Sequence, residues 1–235
     1  DETKIPGEKS GDRCRMRPVD KGKAPDITFN EYQDAEPHLE ERIGPYCSYC
    51  EFPIKHVPEV DHKEAKAGGG ALLEWENLLL SCKYCNTRKN KIVEKGDKDK
   101  YLWPDEDDTF HAFLYDNDIP RLNEQYLQRE GNDVRQKADN LFRLIKLDNF
   151  PLTPKDKDRR YSQRNEARRC AEVSKAGWEK IKETQVREEY LRQTEMLAKS
   201  SGFFSVWMYV FRDDAEVKRM LIEAFKGTRA DCCLD

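Results

Sequence analysis

The sequence predicts an α+β protein in which a small, metal-stapled module precedes a mainly α-helical region. Four cysteines form two C-x-x-C pairs, Cys47 with Cys50 and Cys82 with Cys85, in the first half of the chain. From Asn132 onward, apolar residues recur three and four positions apart, which is the spacing of amphipathic helices. Hydrophobic residues make up 37% of the chain, so the core is thin and a metal is expected to supply part of the stability.

Charge and hydropathy limit the classes of function. Lys and Arg number 42 against 46 Asp and Glu, a net charge of -4, so any contact with nucleic acid must be local. No apolar stretch is long enough to cross a bilayer, and the first residues lack the basic-then-apolar pattern of a secretory signal. We therefore expect a cytoplasmic protein with no membrane partner.

The chain is expected to divide into three segments. Residues 1–30 are rich in Lys, Asp, Gly and Pro and predict a flexible N-terminal arm. Residues 31–119 hold both cysteine pairs, and a short helix over 31–43 is expected to lead into the first pair. Residues 120–235 are expected to form the α-helical region.

Local patterns predict further elements. An acidic turn at 105–108 is interpreted as a solvated bend, and the aromatic-rich residues 110–115 predict a strand. Helices are expected over 157–199, with a break near Gly177, and over 203–226. The aromatic start of the last segment is expected to be core.

The two cysteine pairs have the spacing of a zinc site. Each C-x-x-C turns tightly enough to aim both sulfurs at one point, and two such pairs surround a tetrahedral ion. Four thiolates close the coordination sphere, so Cys47, Cys50, Cys82 and Cys85 predict a structural Zn²⁺ site. The alternative is four buried or redox-active thiols. The other cysteines have no ligand spacing and are interpreted as incidental: Cys14, Cys170, Cys232 and Cys233.

Between and just after the cysteine pairs, several motifs follow one another in a fixed order. They are Asp61-His62, the run 68–70 of three glycines, Asn77, and Asn86 directly after Cys85. With these elements in order, residues 45–92 resemble an HNH endonuclease, the zinc-stapled variety of the ββα-metal nuclease fold. The family's three named positions fall on His62, Asn77 and Asn86, with Asn in the third place where many members have His.

The resemblance implies an enzyme that hydrolyses phosphodiester bonds of nucleic acid, with double-stranded DNA as the expected substrate. An imidazole of ordinary pKa, about 6.5, can accept a proton from water at cellular pH, which suits His62 as general base. The oxygens of Asp61 and Asn86 are expected to hold a catalytic Mg²⁺ or Mn²⁺. Asn77 is expected to orient His62 by a hydrogen bond, or to pin the loop that carries it.

Two of these assignments have structural alternatives. Asp61 and His62 are neighbours, and neighbours in a regular strand face opposite sides, so both serve one site only if the strand bends. Asn86 stands where a helix should begin, so it is also compatible with an ordinary N-cap. In that case Asn90, four residues further on, would be the ligand.

Basic residues surround the proposed site in sequence. Five of them are candidates for contacts with phosphate: Lys63, Lys66, Arg88, Lys89 and Lys91. A second basic run places Arg160, Arg164 and Arg168 on one helix face, where they would extend a nucleic-acid track or dock an acidic partner. For both groups the alternative is a solvated face.

Weaker motifs extend over most of the chain. Together with the HNH segment, 17–19, 102–107 and 227–228 resemble the HNH partner of Septu-type bacterial anti-phage systems, in which an ATPase controls the nuclease. This resemblance implies a role in antiviral defence and an ATPase partner. The alternative to an enzyme is a zinc-containing nucleic-acid-binding module without catalysis, in which Asp61 and Asn86 hold no ion.

Overall fold

A computed structural model describes residues 16–153 and 155–233. Helices predominate over two small antiparallel sheets, which confirms the α+β class. The strands are β1 (Glu59–His62), β2 (Leu78–Ser81), β3 (Phe113–Leu114) and β4 (Arg121–Leu122). The helices are α1 (Glu36–Ile43), α2 (Lys83–Lys89), α3 (Thr109–Ala112), α4 (Glu124–Glu130), α5 (Asn132–Leu144), α6 (Arg160–Ile181), α7 (Arg187–Ser201), α8 (Phe204–Val210) and α9 (Ala215–Ala224).

The first sheet and the helix after it form a ββα unit. Strands β1 and β2 pair antiparallel, with Glu59 opposite Ser81 and His62 opposite Leu78. Helix α2 begins directly after β2, because the sulfur of Cys82 accepts a hydrogen bond from the backbone N–H of Cys85 and caps the helix. A side chain that belongs to the second cysteine pair therefore also fixes where this helix starts.

The expected flexible arm is ordered over the residues that the structure describes. Residues 1–15 lie outside the residues that the structure describes. Met16 and Val19 are buried in the core, and Val19 forms a β-bridge with Thr228 near the other end of the chain. The guanidinium of Arg17 donates to two backbone carbonyls at 2.6 and 2.8 Å. Partners more than 200 residues away in sequence therefore hold the first described residues of this segment.

The strand expected over 110–115 is only partly present. The side chain of Asp108 accepts from the backbone N–H of His111 at 3.0 Å and starts the one-turn helix α3 instead. Only Phe113 and Leu114 are extended, as strand β3. The local cap therefore outweighs the β propensity of the aromatic residues.

The helix expected near 31–43 is confirmed as a one-turn 3₁₀ helix, Tyr32–Ala35, that continues into α1. The break expected near Gly177 lies elsewhere, over residues 182–186, and Gly177 is inside α6. A Cβ at Gly177 would come within 1.9 Å of the Tyr190 hydroxyl oxygen, so this glycine allows α7 to approach α6 closely.

The C-terminal aromatic segment is core, as expected. Phe204 and Trp207 of α8 have no exposed surface. Asp214 then caps α9 by accepting from the backbone N–H of Val217 at 3.0 Å. Over the described residues, no helix is long and apolar enough to span a membrane.

The helical region packs directly on the cysteine-containing module. The buried carboxylate of Glu51 accepts from the backbone N–H of Arg17 at 2.7 Å and of Ser205 at 2.8 Å. The apolar core around the cysteines also includes Leu141 and Phe203 of the helical region. Residues on both sides of the boundary expected at 119 and 120 therefore share one core.

Candidate functional site

The four predicted zinc ligands converge. The sulfurs of Cys47, Cys50, Cys82 and Cys85 all lie within 4.8 Å of one another, and all four residues are buried. The sulfurs of Cys50 and Cys82 are 3.6 Å apart. Zinc–sulfur bonds of roughly 2.3 Å place tetrahedral sulfurs roughly 3.8 Å apart, so this arrangement fits Zn²⁺. The remaining described cysteines lie outside this cluster, and Cys14 lies outside the described residues.

Arg160 supports the cysteine cluster from the helical region. Its Nη1 donates to the Cys85 sulfur at 3.4 Å, and its Nη2 pairs with Asp158 at 2.7 Å. Burial alone would lower the pKa of Arg160, but the negative charges of Cys85 and Asp158 hold it above its ordinary value. The guanidinium is therefore a permanent cation beside the Cys85 sulfur.

The second basic run is not a nucleic-acid track. Arg160 and Arg164 are each 1% exposed. The guanidinium of Arg168 donates to the backbone carbonyls of Tyr115 and Asn117 at 2.6 and 2.9 Å. The shared helix face was predicted correctly, but it faces the interior, where these side chains donate to backbone carbonyls.

A cleft of about 400 Å³ opens between β1, α2 and the loop after β1. It brings together most of the residues that the sequence singled out. Asp61, His62, Lys66, Asn86, Lys91 and the fallback ligand Asn90 all line it. Asp61 and His62 both reach the cleft at the end of β1, where the regular strand stops.

The imidazole of His62 is oriented by a backbone carbonyl. Its Nε2 lies 3.0 Å from the carbonyl oxygen of Leu72. Since a carbonyl only accepts, Nε2 must carry the proton, and Nδ1 is left as the nitrogen able to take one. Burial lowers the pKa of His62 below its ordinary value of 6.5, which keeps the ring neutral at pH 7.

Asn77 pins the loop that orients His62. Its Nδ2 donates to the carbonyls of Ala71 and Glu64 at 2.8 and 3.1 Å, and its Oδ1 accepts from the Glu64 backbone N–H at 2.8 Å. Of the two roles expected for Asn77, the geometry matches the second. The carbonyl that accepts from His62 Nε2 belongs to Leu72, the neighbour of Ala71.

Asp61 is a buried carboxylate with a partner at each oxygen. The Tyr49 hydroxyl donates to Oδ2 at 2.6 Å, and the Lys89 ammonium lies 3.4 Å from Oδ1. Burial raises the pKa of Asp61 to about 6 even though Lys89 and Tyr49 favour the charged form. The carboxylate therefore carries its charge at neutral pH at a high desolvation cost, and a cation brought close to it would reduce that cost.

Asn86 lies within α2 rather than at its start. The N-cap is Cys82, so the interpretation of Asn86 as an ordinary N-cap is wrong. The Asn86 Nδ2 donates to Glu59 Oε2 at 2.7 Å. Asn90 follows α2 with a positive φ of 42° and also borders the cleft.

Lys63 and Lys89 are not on the surface where a phosphate would be met. Both ammonium-bearing side chains are fully buried. Lys63 pairs with Asp105 at 2.9 Å, and Lys89 donates to the backbone carbonyls of His62 and Lys63. The structure thus contradicts their assignment as phosphate contacts, because each charge is already satisfied inside the protein.

The acidic turn is solvated only in part, since Glu106 is exposed whereas the Asp105 side chain is buried. The side chain of Asp105 is 3% exposed and also pairs with Lys21 at 2.8 Å. The other three candidates for phosphate contact are exposed: Lys66, Arg88 and Lys91.

Two residues of the cleft region were missed by the sequence analysis. The Tyr32 ring lines the cleft, with its centroid 4.7 Å from the Lys66 ammonium. Glu59 binds Asn86 from β1. The i, i+2 spacing of Glu59 and Asp61 placed them on one strand face and was the available signal for Glu59, whereas Tyr32 gave none.

Comparison with known proteins matches the same region. The family model for HNH endonuclease matches residues 47–91, about a fifth of the chain. No curated protein and no solved structure matches the chain. The matched segment contains all four cysteines together with Asp61, His62, Asn77 and Asn86. Residues 47–91 are therefore an HNH endonuclease domain whose four cysteines are positioned to bind zinc.

Proposed function

We propose that this protein is a metal-dependent endonuclease that hydrolyses phosphodiester bonds of nucleic acid, with double-stranded DNA as the substrate. The observation that carries the proposal is the carbonyl-oriented, neutral imidazole of His62 in one cleft with the oxygen-bearing side chains of Asp61 and Asn86. The HNH match over 47–91 supports the same chemistry.

The residues of the cleft fit a hard divalent cation. Asp61 offers a carboxylate and Asn86 an amide oxygen, which are the donor types that Mg²⁺ and Mn²⁺ prefer. When bound, the ion would stabilise negative charge on the scissile phosphate and on the leaving oxygen. Two protein ligands leave room for water and phosphate oxygens in the coordination sphere, as Mg²⁺ commonly requires.

His62 is the general base of this proposal. Its Nδ1 accepts the proton of the attacking water, while the hydrogen bond from Nε2 to the Leu72 carbonyl persists and stabilises the imidazolium that forms. Asn77 acts through the backbone, because it fixes the loop that presents that carbonyl. Lys66, Arg88 and Lys91 are the proposed phosphate contacts, since all three are exposed and Lys66 and Lys91 line the cleft.

We also propose a cytoplasmic role in anti-phage defence with an ATPase partner, on the strength of the Septu-like motifs. The three weaker motifs meet in space. The backbone N–H of Val19 donates to the carbonyl of Pro104 at 2.8 Å, and that of Asp20 donates to Gly227 at 2.7 Å. These hydrogen bonds join the three motifs in the folded chain, so contact between them can explain why they occur in one sequence. Co-purification with an ATPase tests the partner, and a protein that cuts freely without one contradicts its control.

The competing function is a zinc-containing nucleic-acid-binding module without catalysis. Incubation of the full chain with plasmid and Mg²⁺ or Mn²⁺, with and without chelator, separates the two. For an endonuclease we expect cleavage of the plasmid, and we expect a chelator to abolish it. The His62→Ala variant is expected to keep its fold and its bound zinc but not to cleave. Intact plasmid with every metal, together with retention of DNA on a gel, would establish the binder.

A further inference from the structure

Glu59 is an acidic side chain beside the cleft that the proposed chemistry does not use. It stands at the first position of β1, two residues before Asp61, so both side chains leave the same face of the strand towards α2. Glu59 Oε2 accepts from Asn86 Nδ2 at 2.7 Å, and Oε1 lies 3.0 Å from the Lys83 ammonium. Each oxygen of the carboxylate thus has its own partner on α2.

The two acids of β1 form two successive contacts with α2. Glu59 contacts Asn86, and Asp61 contacts Lys89, three residues further along the helix. Glu59 and Asp61 are two residues apart and share a strand face. Asn86 and Lys89 are three residues apart and share a helix face. Both contacts therefore join the same face of β1 to the same face of α2. The first contact therefore holds the Asn86 amide at the cleft that Asp61 also lines.

The chemistry of a carboxylate decides how that amide is turned. A terminal amide has a donating end and an accepting end of nearly equal size, so its shape alone does not select an orientation. An ionised carboxylate only accepts, so the end of Asn86 that faces Glu59 must be the NH₂ group. The amide oxygen, which is the end able to bind a cation, is turned away from Glu59.

We propose that Glu59 is a positioning residue that holds the Asn86 amide with its oxygen available to the divalent ion of the cleft. This inference rests on the proposed function. Groups that orient a metal ligand typically change metal affinity by about 10- to 100-fold when they are removed. Glu59 reaches the ion through Asn86.

Mn²⁺ affinity of the zinc-loaded full chain, measured by electron paramagnetic resonance, tests the proposal without any cleavage assay. Glu59→Gln keeps the size of the side chain but offers both a donor and an acceptor, so it no longer selects one orientation of Asn86. We expect Mn²⁺ to bind about 10-fold more weakly. Lys83→Met removes only the ion pair of Glu59 and is expected to bind Mn²⁺ as the wild type does.

A second background separates positioning from direct ligation. In Asn86→Asp both terminal atoms are oxygens, so there is no orientation left to set. The double variant Asn86→Asp with Glu59→Gln is then expected to bind Mn²⁺ at least as tightly as Asn86→Asp alone. The second change also removes repulsion between two carboxylates. A loss of affinity in both backgrounds would make Glu59 a direct ligand and overturn the positioning role.

The remaining outcomes are also decisive. Equal Mn²⁺ affinity of wild type and Glu59→Gln overturns this inference alone. Absence of Mn²⁺ binding by the wild type overturns the metal-dependent function and this inference with it. If Glu59→Gln is unfolded at the assay temperature, wild type and variant are compared at a lower temperature where both are folded, and the same two outcomes decide: weaker Mn²⁺ binding supports positioning and equal binding overturns it.

Discussion

The phenol ring of Tyr32 meets the imidazole of His62 edge to face, with ring centroids 4.9 Å apart and planes inclined by 62°. Tyr32 precedes the segment that matches the HNH family, yet it contacts the proposed general base. Its ring also lies against the Lys66 ammonium, at 4.7 Å from the centroid. One aromatic side chain therefore restrains both a candidate base and a candidate phosphate contact.

Replacement of Tyr32 should slow cleavage without abolishing it. Edge-to-face aromatic pairs contribute about 0.5 to 1.5 kcal/mol, which corresponds to a roughly 2- to 10-fold loss of kcat in Tyr32→Leu if the ring restrains His62. Tyr32→Phe keeps the ring and is expected to retain the wild-type rate. Steady-state cleavage kinetics check both variants, and a wild-type kcat in Tyr32→Leu would show that the ring does not restrain the base.

The pH profile should report a general base of lowered pKa. Burial lowers the pKa of His62 below 6.5, and only the neutral ring can accept a proton, so kcat/KM should fall as the pH drops through a value below 6.5 and stay level above it. A fall in kcat/KM that is already complete at pH 7 would contradict this assignment. His62→Ala should lose about 10²- to 10⁴-fold in rate and the His62-dependent part of the profile.

Loss of one zinc ligand should unfold the HNH domain. Zinc binding supplies about 10 to 16 kcal/mol in small finger peptides, and Cys82→Ser removes one of the four thiolates while its hydroxyl can still cap α2. We expect loss of bound zinc and of the cooperative melting transition, measured by metal analysis and circular dichroism. Cys170→Ser, outside the cluster, is the matched control and should keep both. Normal zinc content in Cys82→Ser would contradict the four-cysteine site.

Sequence reasoning located the parts of the site that lie close together in the chain. The cysteine spacing, the Asp61-His62 step and the Asn77 position follow from local motifs, and the structure brings them to one region. Burial was not predictable in the same way. Lys89 looked like a surface cation because its partners, the His62 carbonyl and the Asp61 carboxylate, lie 27 and 28 residues earlier in the chain.

Long-range contacts explain the other differences. Glu51 binds Ser205 across 154 residues, and no local pattern encodes such a pair. The sequence of residues 16–21 predicts an arm for the same reason. The composition of a short polar segment does not indicate which distant surface will cover it.

Lys91 should contribute to nucleic-acid binding through its charge alone. It is exposed at the edge of the cleft, so Lys91→Met is expected to weaken binding of any DNA sequence and to reduce the salt dependence of log K by about one phosphate contact. The melting temperature should stay unchanged, because the side chain has no buried partner to lose. Binding titrations at several salt concentrations measure the slope, and an unaltered slope would remove Lys91 from the interface.

Arg160 should show the opposite behaviour. Its guanidinium is buried and pairs with Asp158, with the Cys85 sulfur and with the Ile145 carbonyl at 2.9 Å. Arg160→Met leaves the Asp158 charge buried and unpaired, which typically costs about 3 to 5 kcal/mol of unfolding free energy. We expect a lower denaturation midpoint and faster loss of zinc to a chelator, while the salt dependence of DNA binding by the protein that remains folded is unchanged. A reduced salt slope with wild-type stability would instead mean that Arg160 reaches solvent and contacts phosphate, as the sequence alone suggested.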